Sequence, residues 1–293
     1  MSSLKTLAVA GAVAMVAATA GLSTTASAAD LMPPPMVAPP PPPIADGMSG
    51  LYLRGDVGVG AMSSSTMKSR ITDTTVNYSG SMPIIVDKAN FGDQAFAGVG
   101  VGYQFNNFLR VDLTGEYRTA SQFSGVVSFA DPAKTTCISG RCYDNYTASI
   151  RSGVFLANAY ADLGNWRGFS PFLGAGVGFA NHKVSGLRDT GVQPAGGFGM
   201  APDVSKTSFA WALMAGVGYD VTRNLKMEMG YRYLNMGNVD SGVISCQNVT
   251  ICPKEVQKYS LQSHDIKIGF RYMLNDDAPA PMAYAPGPVV RKY

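Results

Sequence analysis

The chain of 293 residues is 46% hydrophobic and only 15% charged, with 33 Gly, 18 Pro, 4 Cys and a formal net charge of +3. That apolar fraction excludes a disordered chain, and the lack of a long basic run argues against nucleic acid as a main partner. Glycine at about 11% with so little charge fits an ordinary α/β enzyme poorly, and a single long apolar stretch excludes a polytopic helical membrane protein.

That stretch lies at the N-terminus. Residues 1–28 read as a secretory signal peptide: Lys5, an apolar run over residues 7–22, then Ala26-Ser27-Ala28 as the cleavage site. The run is short for a membrane anchor. Cleavage leaves Ala29-Asp30 as the mature N-terminus, in an oxidising compartment. Residues 29–50 carry Pro33-Pro34-Pro35 and an all-proline run at 39–43, which predicts an extended polyproline II linker.

From 51 to 274 the sequence alternates with period two, the signature of strands with two unlike faces. The first strand is predicted at 51–60. The second, 93–105, sets Ala95, Ala97, Val99, Val101 and Tyr103 against Phe96, Gly98, Gly100 and Gly102. In the third, 108–118, Leu109, Val111, Leu113 and Tyr117 oppose Arg110, Asp112, Glu116 and Arg118. A fourth at 152–163 has Asn158, Tyr160 and Asp162 on its polar side; the fifth (171–179) and sixth (209–219) oppose apolar residues to glycine and other small ones. The seventh, 225–233, and the eighth, 264–274, return to strict apolar and charged alternation.

Links after the even strands are short, at 106–107, 164–168 and 221–224, while those after odd strands run to roughly 25–30 residues. Segments of about ten residues suit tilted crossing of a bilayer. The fold class expected is all-β: an eight-stranded antiparallel up-and-down transmembrane β-barrel in the bacterial outer membrane. Its long loops are extracellular, and its short turns and both termini periplasmic. The Pro/Ala-rich stretch 275–293 is then a periplasmic tail. A soluble barrel would also show a mixed charged face. The deciding feature is the other face, whose apolar bands end in Tyr103, Tyr117, Trp211, Tyr219, Tyr231, Tyr233 and Tyr272, an interfacial girdle.

The polar face is assigned to the lumen. It brings the cations Arg54, Arg110, Arg118, Lys226, Arg232, Lys267 and Arg271 together with the anions Asp56, Asp112, Glu116, Asp162, Asp220, Glu228 and Asp265. Eight strands leave a lumen that side chains fill. A connected ionic network is expected, with long chains lying over the glycines of strands two, five and six, so that the barrel is plugged. Arg151 breaks the parity by falling on the lipid side, where it either snorkels to water or meets lipopolysaccharide phosphates.

Cys137 and Cys142, and Cys246 and Cys252, read as two local loop disulfides, with cross-loop pairing as the alternative. Only His182 and His264 could add to a metal site, so no metal or cofactor is expected. Nor is an enzyme. In Ser263-His264-Asp265 alternate residues point to opposite faces, which separates the histidine from its neighbours. His182 lacks an evident serine partner and reads as a rim histidine.

Several phrases are similar to a known family: residues 102–110 (GYQFNNFLR), Gly115-Glu116-Tyr117-Arg118, residues 230–234 (GYRYL) and Ser263-His264-Asp265. They resemble the alphaproteobacterial outer-membrane β-barrel family, the opacity-protein-like surface antigens of rhizobia and brucellae that often carry a porin-family label. The resemblance spans 51–274. It implies a structural surface antigen supporting envelope integrity, with a small porin-like channel as the alternative and adhesion through the extracellular loops as a third reading. It also implies a peptidoglycan tether at Ala29-Asp30. The partners expected are outer-membrane lipid and lipopolysaccharide, peptidoglycan, and the outer-membrane assembly machinery, for which Gly269-Phe270-Arg271-Tyr272 resembles the terminal signal although nineteen residues follow Leu274.

Overall fold

Period-two alternation does become strand, and the strands outrun it. In chain order they are β1 (Gly50–Ile71), β2 (Ile85–Phe91), β3 (Gln94–Gln104), β4 (Leu109–Ala130), β5 (Arg141–Asp162), β6 (Phe169–Gln193), β7 (Ala195–Met200), β8 (Val204–Asp220), β9 (Leu225–Asp240), β10 (Ser245–Cys246) and β11 (Glu255–Met273). This computed structural model describes residues 49–72, 84–130, 137, 140–193, 195–247 and 254–274. The signal peptide, nearly all of the proline linker, the C-terminal tail and Cys252 lie outside the described residues.

Antiparallel pairing runs β1-β3-β4-β5-β6-β8-β9-β11 and returns to β1, closing a ring of eight strands. The three short strands attach to its long-loop end: β2 to β4, β7 to β6 and β10 to β7. The sheet therefore holds eleven strands rather than eight. The expected long loops are largely replaced by strand, because β1, β4, β5 and β6 continue far past the membrane-length segments.

Register fixes which way each residue points, since a slip by one would invert both faces. The direct cross-strand row Leu53, Val101, Leu113, Ala157, Val177, Trp211 faces outward. The next row, Tyr52, Gly102, Asp112, Asn158, Gly176, Ala212, faces the lumen. Exposure confirms the assignment: Val99 is 71% exposed and Leu113 62%, while Arg110, Arg118 and Asp265 are 0% exposed. Bulges between Ser64 and Thr66, Arg118 and Ser121, Thr147 and Ser149, and Ser260 and Gln262 all lie above the outward apolar band. There the strands bend into a collar.

The short turns are closed by side chains. Asn106 Oδ1 accepts from the Phe108 and Leu109 amides at 2.8 Å each, and Asn165 Oδ1 accepts from Gly168 N at 2.9 Å.

Large-over-small packing holds the ring together, but four of the inward glycines are covered by aromatics rather than by the expected cations. Tyr52 lies on Gly102, Phe96 on Gly58, Tyr160 on Gly174 and Phe172 on Gly216, each a direct cross-strand pair. A Cβ at Gly58 would sit 2.4 Å from the Ile266 carbonyl oxygen and 2.4 Å from Phe96 Cζ. Gly58→Val should therefore cost about 1–3 kcal/mol through strain. Gly55→Val faces lipid, its nearest contact at 4.0 Å, and should leave stability unchanged. Urea midpoints in detergent compare the two; equal midpoints would mean that the glycine seat is not tight.

Candidate functional site: the lumen and its collar

The fourteen charges assigned to the lumen from sequence all come from inward positions, and ion pairs divide them into three groups. In the lower lumen, Arg54 pairs with Asp56 at 2.9 Å, Asp112 at 2.7 Å and Glu228 at 3.5 Å. Glu228 also receives Arg110 at 2.9 Å and Arg271 at 3.2 Å. Arg110 reaches Asp162 at 3.2 Å, and Lys267 reaches Asp56 at 3.7 Å. The Arg110 guanidinium also lies 4.2 Å from the Tyr160 ring centre and 4.8 Å from that of Phe172, a double cation–π contact.

Above it sits a tighter group. Arg118 grips Asp265 with both Nη atoms, at 2.9 and 2.7 Å, and touches Glu116 at 3.0 Å. Arg232 bridges Asp265 and Glu116, at 2.7 Å to each. Two guanidiniums thus share two carboxylates in a buried site. The third group is the pair Lys226–Asp220, 2.9 Å apart at the short-turn rim, where Asp220 also accepts from Asn165. One continuous network was expected. Lys226 and Asp220 stand apart from it because they flank a turn, and Arg118 reaches Asp265 across the barrel instead of the group below.

Neutral side chains add further hydrogen bonds to these ions, and most were not singled out from sequence. Tyr52 Oη donates to Asp112 at 3.1 Å, and Asn158 Nδ2 donates to the same carboxylate at 2.7 Å. Arg54 donates to Tyr160 Oη at 2.8 Å, Arg118 to Gln94 Oε1 at 3.1 Å, and Arg271 to Gln104 Oε1 at 3.0 Å. Their inward parity was the available signal.

Ser263 and Asp265 are buried in the lumen, joined at 2.5 Å, while His264 lies outside on Tyr231 Oη at 2.6 Å. His182 departs from its expected place at the rim. It is wholly buried, with Nδ1 2.8 Å from Ser152 Oγ and Nε2 2.9 Å from the Met236 carbonyl. Ser152 is its direct partner on the neighbouring strand, so the pair could not be seen without register. Met236 O can only accept, which makes Nε2 the protonated nitrogen and leaves Nδ1 to accept from Ser152.

The β5–β6–β8 wall of the lumen is largely apolar: Val154, Leu156, Phe172, Ala180, Ala210, Ala212 and Met214. That cluster continues upward into the collar through Ile150, Leu234 and Leu261, and ends under Phe123, Tyr146 and Tyr259. Phe123 meets Phe91 at 5.0 Å and Tyr259 at 4.9 Å between ring centres. Ions seal the lower lumen and a hydrophobic core caps the upper. The disulfide Cys137–Cys142 lies beside this collar; Cys246 is also disulfide-bonded.

Three acids sit at the collar's edge. Burial, then the charge of Glu255, pushes the Asp144 carboxyl up to about 6; burial, then Asp144 and Glu255, pushes Asp189 up to about 7. Glu255 itself accepts from Tyr146 Oη at 3.0 Å. Because both folded-state values exceed the ordinary aspartate value, the collar is stabilised in acid and loses that stability as pH rises through about 6 to 7. Hydrogen-exchange protection of the outer part of β5 and β6, corrected for intrinsic rates, should be higher at pH 5 than at pH 8. Asp189→Asn should flatten the difference, and equal protection at both pH values would refute the coupling.

A closed ring that is greasy outside and ionic inside is at rest only in a bilayer, so fold and lumen define a membrane-spanning β-barrel. The chain belongs to the outer membrane protein beta-barrel domain family, whose model matches residues 14–273, and it resides in the outer membrane. It is 34% identical over 252 residues to an uncharacterized protein of Brucella abortus, spanning 77% of this chain and 85% of the relative. It is 28% identical over 204 residues to the outer membrane protein PagN of Salmonella typhimurium (67% of this chain, 78% of PagN). A protein of Rickettsia canadensis described as a candidate adhesin is 27% identical over 235 residues, 78% of this chain and 90% of that protein.

Proposed function

We propose that this barrel is a structural outer-membrane protein that works at the cell surface through its collar, as a binding element of adhesin type. The observation that carries this reading is the filling of the lumen. Ions and an apolar core occupy it from the turns to the collar, and strands β1, β4, β5 and β6 extend 22 to 25 residues to support a surface platform. A rigid scaffold presenting loops is the usual arrangement for recognition. The likeness to the rickettsial protein described as a candidate adhesin points the same way.

Host-cell binding by bacteria displaying the protein tests it. Shortening the 73–83 or 248–253 segment should reduce binding while heat-modifiable gel mobility is kept; unchanged binding would reject the surface role. In planar bilayers the purified protein should show no stable conductance, and reproducible channel steps would favour the porin-like alternative. We also propose that the Ala29 amino group is the site of peptidoglycan attachment, with the proline linker as spacer. Mass spectrometry of muramidase-released protein should find Ala29 modified, and an unmodified Ala29 in every molecule would reject the tether.

A further inference from the structure

Arg151 of β5 and Lys183 of β6 are direct cross-strand partners. Both are exposed on the outward face. Immediately below them come Gly153 opposite Asn181 and then Phe155 opposite Phe179, whose rings stack 5.2 Å apart. The two cations therefore stand at the upper border of the apolar band. On the other side of Lys183 its direct cross-strand partner Ser205 of β8 carries no charge. Like charges placed directly opposite on a sheet repel each other. Arg151 has no hydrogen-bond or ionic partner among the described residues, and Lys183 has only Asp203, 3.8 Å away. Snorkelling accounts for one cation reaching water, but not for two set face to face.

We propose that Arg151 and Lys183 jointly bind a phosphate of a phosphorylated glycolipid in the outer leaflet, with its acyl chains lying on the Phe155–Phe179 surface. A phosphate carries enough negative charge to offset both cations. The guanidinium supplies two parallel donors and the ammonium a point charge. The apolar band directly beneath favours a phosphate anchored to hydrocarbon over a free anion, which two exposed side chains would hold weakly. This inference rests on the outer-membrane location and is independent of the surface-binding reading.

Native mass spectrometry of the full-length protein in zwitterionic nanodiscs tests it, with diphosphoryl hexa-acyl lipid A, its dephosphorylated form and sodium pyrophosphate as probes. Lipid A should bind. The double variant Arg151→Gln, Lys183→Gln should weaken that binding about tenfold, whereas Arg151→Lys should retain most of it. Heat-modifiable mobility checks that each variant is folded. Equal binding of the dephosphorylated lipid, an undiminished double variant, or pyrophosphate binding as tightly as lipid A would each overturn the proposal.

Discussion

Asp265→Ala should lower the unfolding free energy of the barrel by about 3–5 kcal/mol, the usual cost of stripping a buried charge of its partner. Asp265 is wholly buried and receives Arg118 through two bonds, Arg232 through Nε at 2.9 Å and Nη2 at 2.7 Å, and Ser263 at 2.5 Å. Its removal leaves two buried guanidiniums to share Glu116 alone. Asp265→Asn keeps shape and some hydrogen bonding but not the charge, and should lose less. The double variant Arg118→Ala, Asp265→Ala should fall short of the sum of its single changes, since each removes the same contact. Urea unfolding in detergent, followed by tryptophan fluorescence and gel mobility, compares the wild type with Asp265→Asn, the two single alanine changes and the double variant. A loss below about 0.5 kcal/mol for Asp265→Ala would mean that water reaches this site and the lumen is not dry.

The part of the molecule inside the bilayer was legible because lipid imposes a severe rule. Every outward side chain there must be apolar, so Leu109, Val111 and Leu113 alternate with Arg110, Asp112 and Thr114 without exception. Above the bilayer that constraint ends. In β4 the bulge between Arg118 and Ser121 shifts the parity, and beyond it Phe123 and Val127 turn inward to a core of their own. Water on the outer face tolerates Gln122, Ser124 or Val126 alike, which blurs the period. Hence the collar strands resembled loops. Contacts between strands were hidden for another reason. Ser152 and His182 are thirty residues apart, and only the β5–β6 register makes them neighbours. Likewise Tyr52, Phe96, Tyr160 and Phe172 were visible as inward residues, yet their glycine seats lie on adjacent strands.

If the collar is a core in its own right, Phe123→Ala should loosen it while leaving the barrel closed. Phe123 is 1% exposed and joins Phe91 of β2 to Tyr259 of β11. Truncating a buried Phe costs about 3–5 kcal/mol. Here the loss falls on few elements, because β2 is paired only with β4. Exchange protection over Ile85–Phe91 and the outer parts of β1 and β11 should drop together. The Arg118–Asp265 group lies below this layer and shares no partner with Phe123, so the urea midpoint of the barrel and its heat-modifiable mobility should be unchanged. Cell binding should fall with the collar, since a platform that opens presents its loops in many arrangements and each productive one is diluted. Two results would count against this account in different ways. Loss of barrel mobility along with the collar would show that the two layers fold as one unit. Undiminished binding by a loosened collar would place the binding residues in segments that need no scaffold, and the extended strands would then require another explanation.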